Sequence, residues 1–458
     1  MLTDAIEDAF AALEETIRNG PVYPQVSPDE IRQHLRSHYS FARAGSLEDI
    51  SADVEDMLRR WQVQVTHPRY FGLFNPSVTV ASVVADTLVA LYNPQLASWR
   101  TSPAANEIEK HTLDWVAGKL GLPEDTFASF TSGGAEANLS AVLVALTHAF
   151  PDYGERGLRS LDGDPVLYLS EEAHHSFTKI AHMTGLGRHA LRAVPTDRDL
   201  KLDLTALQRQ VEADRGNGFR PFMVVGTCGT TAAGVIDPLA ALHAYCKSKK
   251  LWLHVDAAWG GAAAMSVVLR PHLAGIELAD SVTCDAHKWF SVPMACGMFF
   301  CRHRAAVLNT FHAQTSYMPL QHSQDVLDPY TSTVQWSRRF IGLKLFMSLA
   351  HNGEAGYAAM IDHQARMGNL LRERLAHSGW QIVNRTPLPV VCFTRPGLDI
   401  PALFARLKDE QIAWMSETRC GGQPVLRACV TSFKTSENDV LSVVDGLNRI
   451  AAECALPG

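Results

Sequence analysis

Three patterns of apolar and polar positions succeed one another along the chain, and each predicts a different kind of element. Over residues 1–76 the apolar positions recur at helical spacing, as in DAIEDAFAALEETI, and proline turns separate the helices. Thr3 and Asp4 are suited to cap the first helix. Ser27-Pro28-Asp29-Glu30 starts another, with Pro in its first turn. An arm of this kind has little core of its own and is expected to pack on something else, such as a second subunit. Over 77–347 the pattern changes to short, near-continuous apolar runs: VLYLS (166–170), FMVVGT (222–227), LWLHV (251–255), SVTC (281–284) and GMFFC (297–301). Such runs predict strands of a sheet covered on both faces. Helical stretches lie between several of them, PLAALHAYCKSKK (238–250) among others. That alternation predicts βαβ units and a mainly parallel sheet flanked by helices.

Over 348–458 a long helical pattern runs through GYAAMIDHQARMGNLLRERLAHSG, with Gly379 as its stop. Strand-like WQIVN, LPVVCFTR and VLRACV follow, with helices around PALFARLKDEQ and SENDVLSVVDGLNRIAAECA. The expected class is therefore α/β in three parts: a helical arm (1–76), a large α/β domain (77–347) and a small α+β domain (348–458).

Composition narrows the function classes. The 458 residues are 47% hydrophobic and 19% charged, as in soluble globular proteins, and suffice for a large core without disulfides or metals. A net charge of −7 disfavours nucleic acid and anionic membranes as partners. Nine cysteines without a CxxC pair suggest buried free thiols in a reducing compartment. The N-terminal stretch carries acids early and lacks the plan of a signal peptide. No apolar run approaches the ~20 residues that span a bilayer. A cytoplasmic location is expected.

Four short stretches carry candidate chemistry, each at a strand-to-helix or strand-to-loop junction. Thr131-Ser132-Gly133-Gly134-Ala135-Glu136-Ala137-Asn138 opens a helix, where free backbone N–H groups favour an anion and glycine admits a phosphate closely. A capped turn without ligand is the plainer alternative. Glu172-Ala173-His174-His175-Ser176 follows a strand, so His174 faces the crevice where ligands bind in such sheets; there it could stack on a flat ring or move a proton. Asp256 ends the LWLHV strand; a buried carboxylate needs a partner, and a pyridinium N–H is one, although a helix cap is another use for it. Lys288, in DSVTCDAHKWF, sits among aromatic and apolar residues, which favours Schiff-base chemistry over a snorkelling surface role only in company with the other three.

Taken together these stretches resemble the group II pyridoxal-dependent amino-acid decarboxylases, which include the aromatic amino-acid, glutamate, histidine and cysteine-sulfinate decarboxylases. The likeness runs from HPRYFG (67–72) through SPAANEIE (102–109), TSGGAEANL, AHHSF, GTCGTTAAGVIDPL (226–239), HVDAAWGG and DAHKWF to QWSRRFIGLKLF (335–346) and VLRACV. It implies a fold-type I pyridoxal-phosphate enzyme and a homodimer with sites at the subunit interface. By the same resemblance Lys288 is the Schiff-base lysine, Asp256 pairs with the pyridine nitrogen, and Ala258 lies against the ring. His174 stacks on the ring and joins in reprotonation, and Thr231 sits near the phenolic oxygen. Gly133, Gly134, Ala135 and His287 hold the phosphate. Asp285 departs from the pattern, standing where some relatives carry a phosphate-binding Asn. An aromatic loop of the family supplies a tyrosine, matched here by Tyr330 or, as runner-up, Tyr317.

For the substrate pocket the resemblance points to Phe74, Asn75 and Ala97. Asn75 and Ala97 stand where some relatives carry aromatic residues, which implies a side chain smaller or more polar than a catechol. Arg100 could meet an acidic substrate or lie at a surface or subunit contact. The sequence also admits two other readings. One keeps the cofactor but changes the reaction to that of an aminotransferase, a carbon–carbon lyase or a decarboxylating oxidase. The other is a non-catalytic interaction protein, against which intact Lys288, Asp256 and His174 speak.

Overall fold

The computed structural model describes residues 2–313 and 327–454. Its larger sheet has seven strands: β1 (Phe127–Thr131), β2 (Pro165–Ser170), β3 (Leu191–Val194), β4 (Arg220–Thr227), β5 (Trp252–Asp256), β6 (Ser281–Asp285) and β7 (Gly297–Cys301). They lie in the order β1-β7-β6-β5-β4-β2-β3. Strands β3, β2, β4, β5 and β6 are parallel, and β7 runs antiparallel to both β6 and β1. The expected α/β class and mainly parallel sheet are what the chain forms. All five apolar runs are strands, because each is buried on both sides.

Alternate residues divide between two apolar layers. Val166, Tyr168, Val224, Leu253 and Val255 join the layer on one face, while Leu167, Leu169, Met223 and Val225 join the layer on the other. Burying a side chain of this size is worth about 1.5–3 kcal/mol, so both faces hold the sheet in register. Strands β1 and β3 were not foreseen. Ser129 and Thr131 interrupt the apolar run of β1, and the edge strand β3 buries only Val194.

The second sheet is antiparallel, in the order β10-β11-β9-β8, from β8 (Gln381–Ile382), β9 (Val390–Thr394), β10 (Ser416–Cys420) and β11 (Gln423–Cys429). The half-exposed, polar β10 (SETRC) left no apolar signal. Helices Leu343–His377, Ile400–Asp409 and Glu437–Cys454 pack on this part of the chain. The first of these crosses residue 347, kinks at Gly353 (φ 65°, ψ 173°), and stops where Gly379 takes φ 83°.

The N-terminal stretch forms helices Leu2–Asn19, Pro28–His38 and Leu47–Trp61, and of these only the first buries a residue, Ile17, in the single chain. Ser27 and Glu30 make a reciprocal capping box, with Glu30 N donating to Ser27 Oγ and Ser27 N donating to Glu30 Oε2 at 2.7 Å. Thr3 and Asp4 do not cap: the first helix already includes Leu2, which puts both in its first turn. All nine cysteines are free thiols, and eight are buried. No helix among the described residues is long and apolar enough to cross a membrane.

Candidate active site

The carboxyl ends of β5, β6 and β2 converge on the turn between β1 and the helix Gly134–Ala149, as parallel strands in an open α/β sheet allow. Asp285 ends β6, and a tight turn brings Lys288 back over it: Lys288 N donates to Asp285 O at 3.2 Å, and Lys288 Nζ lies 3.1 Å from Asp285 Oδ2. Asp285 is 1% exposed, and its Oδ1 has no hydrogen-bond partner among the described residues. His287 is tied down by Cys296, whose N–H donates to Nδ1 at 3.0 Å. The ring proton therefore sits on Nε2, which faces Asp285 Oδ2 at 3.6 Å. Burial lowers the His287 pKa, which favours this neutral form.

The Thr131–Gly134 turn fits closely against these residues. A Cβ on Gly134 would stand 2.9 Å from Asp285 Oδ2 and 3.2 Å from the Ala258 Cβ, and one on Gly133 would stand 3.2 Å from His287 Cε1. Behind the turn, a Cβ on Gly297 of β7 would strike Thr131 Oγ1 at 2.5 Å and Gly133 Cα at 2.6 Å. The first N–H groups of the helix, those of Gly134 and Ala135, have no intrahelical acceptor.

Asp256 ends β5 and is 5% exposed. Its Oδ1 accepts from Ala258 N at 3.1 Å, and its Oδ2 accepts from Asn138 Nδ2 at 2.9 Å. His174 follows β2, and its Nδ1 accepts from Ser176 N at 3.2 Å. The protein packed around His174 lowers its pKa, with Asp256 opposing and Lys288 reinforcing that shift. His174 is thus within electrostatic reach of both.

Phe74 forms one wall. Lys288 Nζ lies 5.8 Å from its ring centre and Arg427 Cζ 4.9 Å, and its ring stacks on Trp259 at 4.6 Å. Arg427, from β11, donates from Nε to Thr231 O at 2.8 Å and from Nη1 to Gly72 O at 2.9 Å. Asn75 Oδ1 accepts from Tyr70 OH at 3.2 Å. Ala97 is buried, and its carbonyl accepts from Tyr330 N at 3.1 Å; the Tyr330 ring packs on Trp336 at 5.0 Å. Among the described residues, no hydrogen bond or ring contact joins Ala97 or Tyr330 to Lys288, His174 or Asp256. Arg100 is exposed. Tyr317 lies outside the described residues.

The structure thus gathers Lys288, Asp285, His287, Gly133, Gly134, Ala258, Asp256, His174 and Phe74, with Thr231 tied in through Arg427. Sequence reasoning passed over Asn138, His254, Thr283 and Arg427. A signal for three of them was available: HVD in β5 and SVT in β6 both alternate polar, apolar, polar, and their polar residues pair across neighbouring strands, His254 with Ser281 and Asp256 with Thr283. Asn138 stands one helical turn beyond Gly134.

Residues 28–395 match the family model described as the pyridoxal-dependent decarboxylase conserved domain. The chain is 26% identical over 460 residues to an aromatic-L-amino-acid decarboxylase of Bacillus atrophaeus, covering 96% of this chain and 92% of that one. It is 30% identical over 377 residues to an L-2,4-diaminobutyrate decarboxylase of Acinetobacter baumannii, covering 79% of this chain and 74% of that one. Among solved structures, Oryza sativa TDC with PLP and tryptamine has the same fold, with a TM-score of 0.93 at 24% identity over 99% of this chain and 97% of that one. The class so defined is that of the fold-type I enzymes dependent on pyridoxal phosphate. Within it, the chain belongs to the group II pyridoxal-dependent decarboxylase family, and it is a carboxy-lyase acting on amino acids with pyridoxal phosphate as cofactor.

Proposed function

We propose that this decarboxylase converts one L-amino acid, with a side chain smaller or more polar than a catechol, to its amine and CO₂, and that Lys288 holds the cofactor as a Schiff base. One observation carries this reading: Lys288 Nζ, the Asp285 carboxylate, Ala258 and the bare Cα of Gly134 crowd around one point, with Lys288 Nζ 3.1 Å from Asp285 Oδ2 and that oxygen 2.9 Å from where a Gly134 Cβ would stand. The residues present fit the cofactor. Free N–H groups at the Gly134–Ala149 helix start, without Cβ atoms on Gly133 or Gly134 to obstruct them, suit its phosphate. The buried Asp256 suits its ring nitrogen, Ala258 and His174 suit its two faces, and His287 Nε2–H adds a donor toward the phosphate. Asp285 Oδ1, buried without a partner, calls for a donor from whatever occupies the site.

When bound, the cofactor supplies a sink for the electron pair left by CO₂. The chain's own residues do the rest. Lys288 Nζ, 3.1 Å from Asp285 Oδ2, would anchor the cofactor. Asp256 orients the ring through its nitrogen. Neutral His174 keeps a proton on Nε2, since its Nδ1 already accepts from Ser176 N. That proton, or the hydroxyl proton of Tyr330 or Tyr317, is delivered to the carbon that CO₂ leaves. Phe74 closes one side of the site. Asn75, bonded to the Tyr70 hydroxyl, and the small Ala97 support a polar or compact substrate side chain.

The test is to incubate the holoenzyme with the twenty protein amino acids and common non-protein ones while following CO₂ and amine. One compact or polar amino acid is expected to be turned over, and Lys288→Ala to abolish its turnover. Release of a keto acid or an aldehyde in place of the amine would contradict simple decarboxylation.

A further inference from the structure

Behind Asp256 lies a buried relay of side chains. Asn138 Oδ1, on the far side of the amide from Asp256, accepts from Thr283 Oγ1 at 2.8 Å and lies 3.0 Å from His254 Nε2. His254 Nδ1 lies 2.8 Å from Ser281 Oγ, and Ser281 Oγ accepts from Trp252 Nε1 at 2.8 Å. Asn138, His254, Thr283 and Ser281 are each no more than 1% exposed.

One arrangement of protons pairs every atom of this relay. An indole N–H only donates, so Trp252 uses a lone pair of Ser281 Oγ, and the Ser281 hydroxyl proton goes to His254 Nδ1. His254, whose burial pulls its pKa down to about 4, is neutral and carries its one proton on Nε2, directed at Asn138 Oδ1. Two donors on Oδ1 fix which end of the Asn138 amide faces Asp256: the NH₂ end. With Ala258 N on the other oxygen, each Asp256 oxygen already accepts one donor from the protein.

We propose that Asn138, locked by Thr283 and His254, is a positioning residue of the decarboxylase that holds Asp256 as a carboxylate, so that the proton between Asp256 and the cofactor's ring nitrogen resides on the nitrogen. This rests on the assignment of Asp256 as the ring nitrogen's partner. Donors to a carboxylate favour its charged form, and charge-assisted hydrogen bonds are the stronger kind. With the Asn138 donor removed, Asp256 becomes the stronger base and takes the proton. The ring then loses the positive charge on which its capacity as an electron sink depends.

Holoenzyme loaded with pyridoxal phosphate carrying ¹⁵N in the ring reads that proton directly. In the wild type the nitrogen shift is expected in the protonated range. In Asn138→Leu it moves toward the neutral range, and kcat falls about 10- to 100-fold, the equivalent of one hydrogen bond to a charged group, with KM within about threefold. Thr283→Val moves the shift the same way by less, and Thr283→Ser, which keeps the hydroxyl, restores it. The Thr283 pair carries the test if Asn138→Leu does not fold. A wild-type nitrogen shift in Asn138→Leu, or in Thr283→Val, overturns the proposal. Asp256→Ala separates the two assignments: a ring as protonated as in the wild type removes Asp256 from its role, and Asn138 with it. A neutral ring in Asp256→Ala beside a protonated one in Asn138→Leu removes Asn138 alone.

Discussion

Lys288, Asp256 and His174 were legible in the sequence because each lies just past the carboxyl end of an apolar run, where a strand in an open α/β sheet must deliver its residues to one crevice. Asn138 and His254 were not, because their meaning depends on contacts between a helix and two strands that no linear motif displays. Tyr330 shows the same limit. Its backbone is bonded to Ala97 and its ring rests on Trp336, and neither contact is visible in LDPYTSTVQWSRR. At this scale His254 also makes a prediction about pH. Its pKa drops from an ordinary 6.5 to about 4 through burial. Between those values the unfolded chain binds the proton and the folded chain does not. The stability from neutral His254 is therefore complete above pH 6.5 and is lost as pH falls toward 4, by about 3 kcal/mol in all. His67, lowered to about 4 by the same cause, adds a parallel loss, so the comparison with a variant isolates His254. Urea unfolding of wild type and His254→Gln at pH 7 and pH 5 should show a smaller decline in the variant. Equal declines would mean that His254 is not buried neutral.

At the scale of elements, the segment 69–75 shows how a pocket wall is fixed from outside the sheet that bears the chemistry. Trp414 N donates to Arg69 O at 3.0 Å, Phe71 N to Trp414 O at 2.8 Å, and Cys429 N to Phe71 O at 2.9 Å. The segment is thereby fastened to the C-terminal sheet, and Arg427 of that sheet fastens both Gly72 and Thr231. Gly72 is required by this close approach, since a Cβ there would stand 2.1 Å from Trp414 Cε3. Gly72→Ala should lower the unfolding free energy by about 1–3 kcal/mol, the usual result of overpacking, and urea melts would show it. A wild-type midpoint would mean that the wall yields easily. The sequence displayed HPRYFG and VLRACV as separate motifs. It did not show that they are hydrogen-bonded neighbours, because pairing across more than 300 residues has no local signature. Strands β10 and β3 pair with strands near them in sequence and lack a signal because most of their residues are not buried.

At the scale of the molecule, the large sheet was legible from five buried apolar runs, and the N-terminal helices from their spacing. Those helices leave Leu13, Leu35, Leu47 and Leu58 exposed in the single chain. We propose that a second copy of the chain covers them, in a homodimer of twofold symmetry. Gel filtration with light scattering should give twice the 50.3 kDa chain mass, and an active monomer would refute the dimer. The proposed chemistry, however, turns on one lysine. Protein incubated with pyridoxal phosphate, reduced with borohydride and digested should yield a single phosphopyridoxyl peptide, and peptide mass spectrometry should place the group on Lys288. The same label on another lysine, or an unlabelled Lys288 in active protein, would contradict Lys288 as the Schiff-base residue.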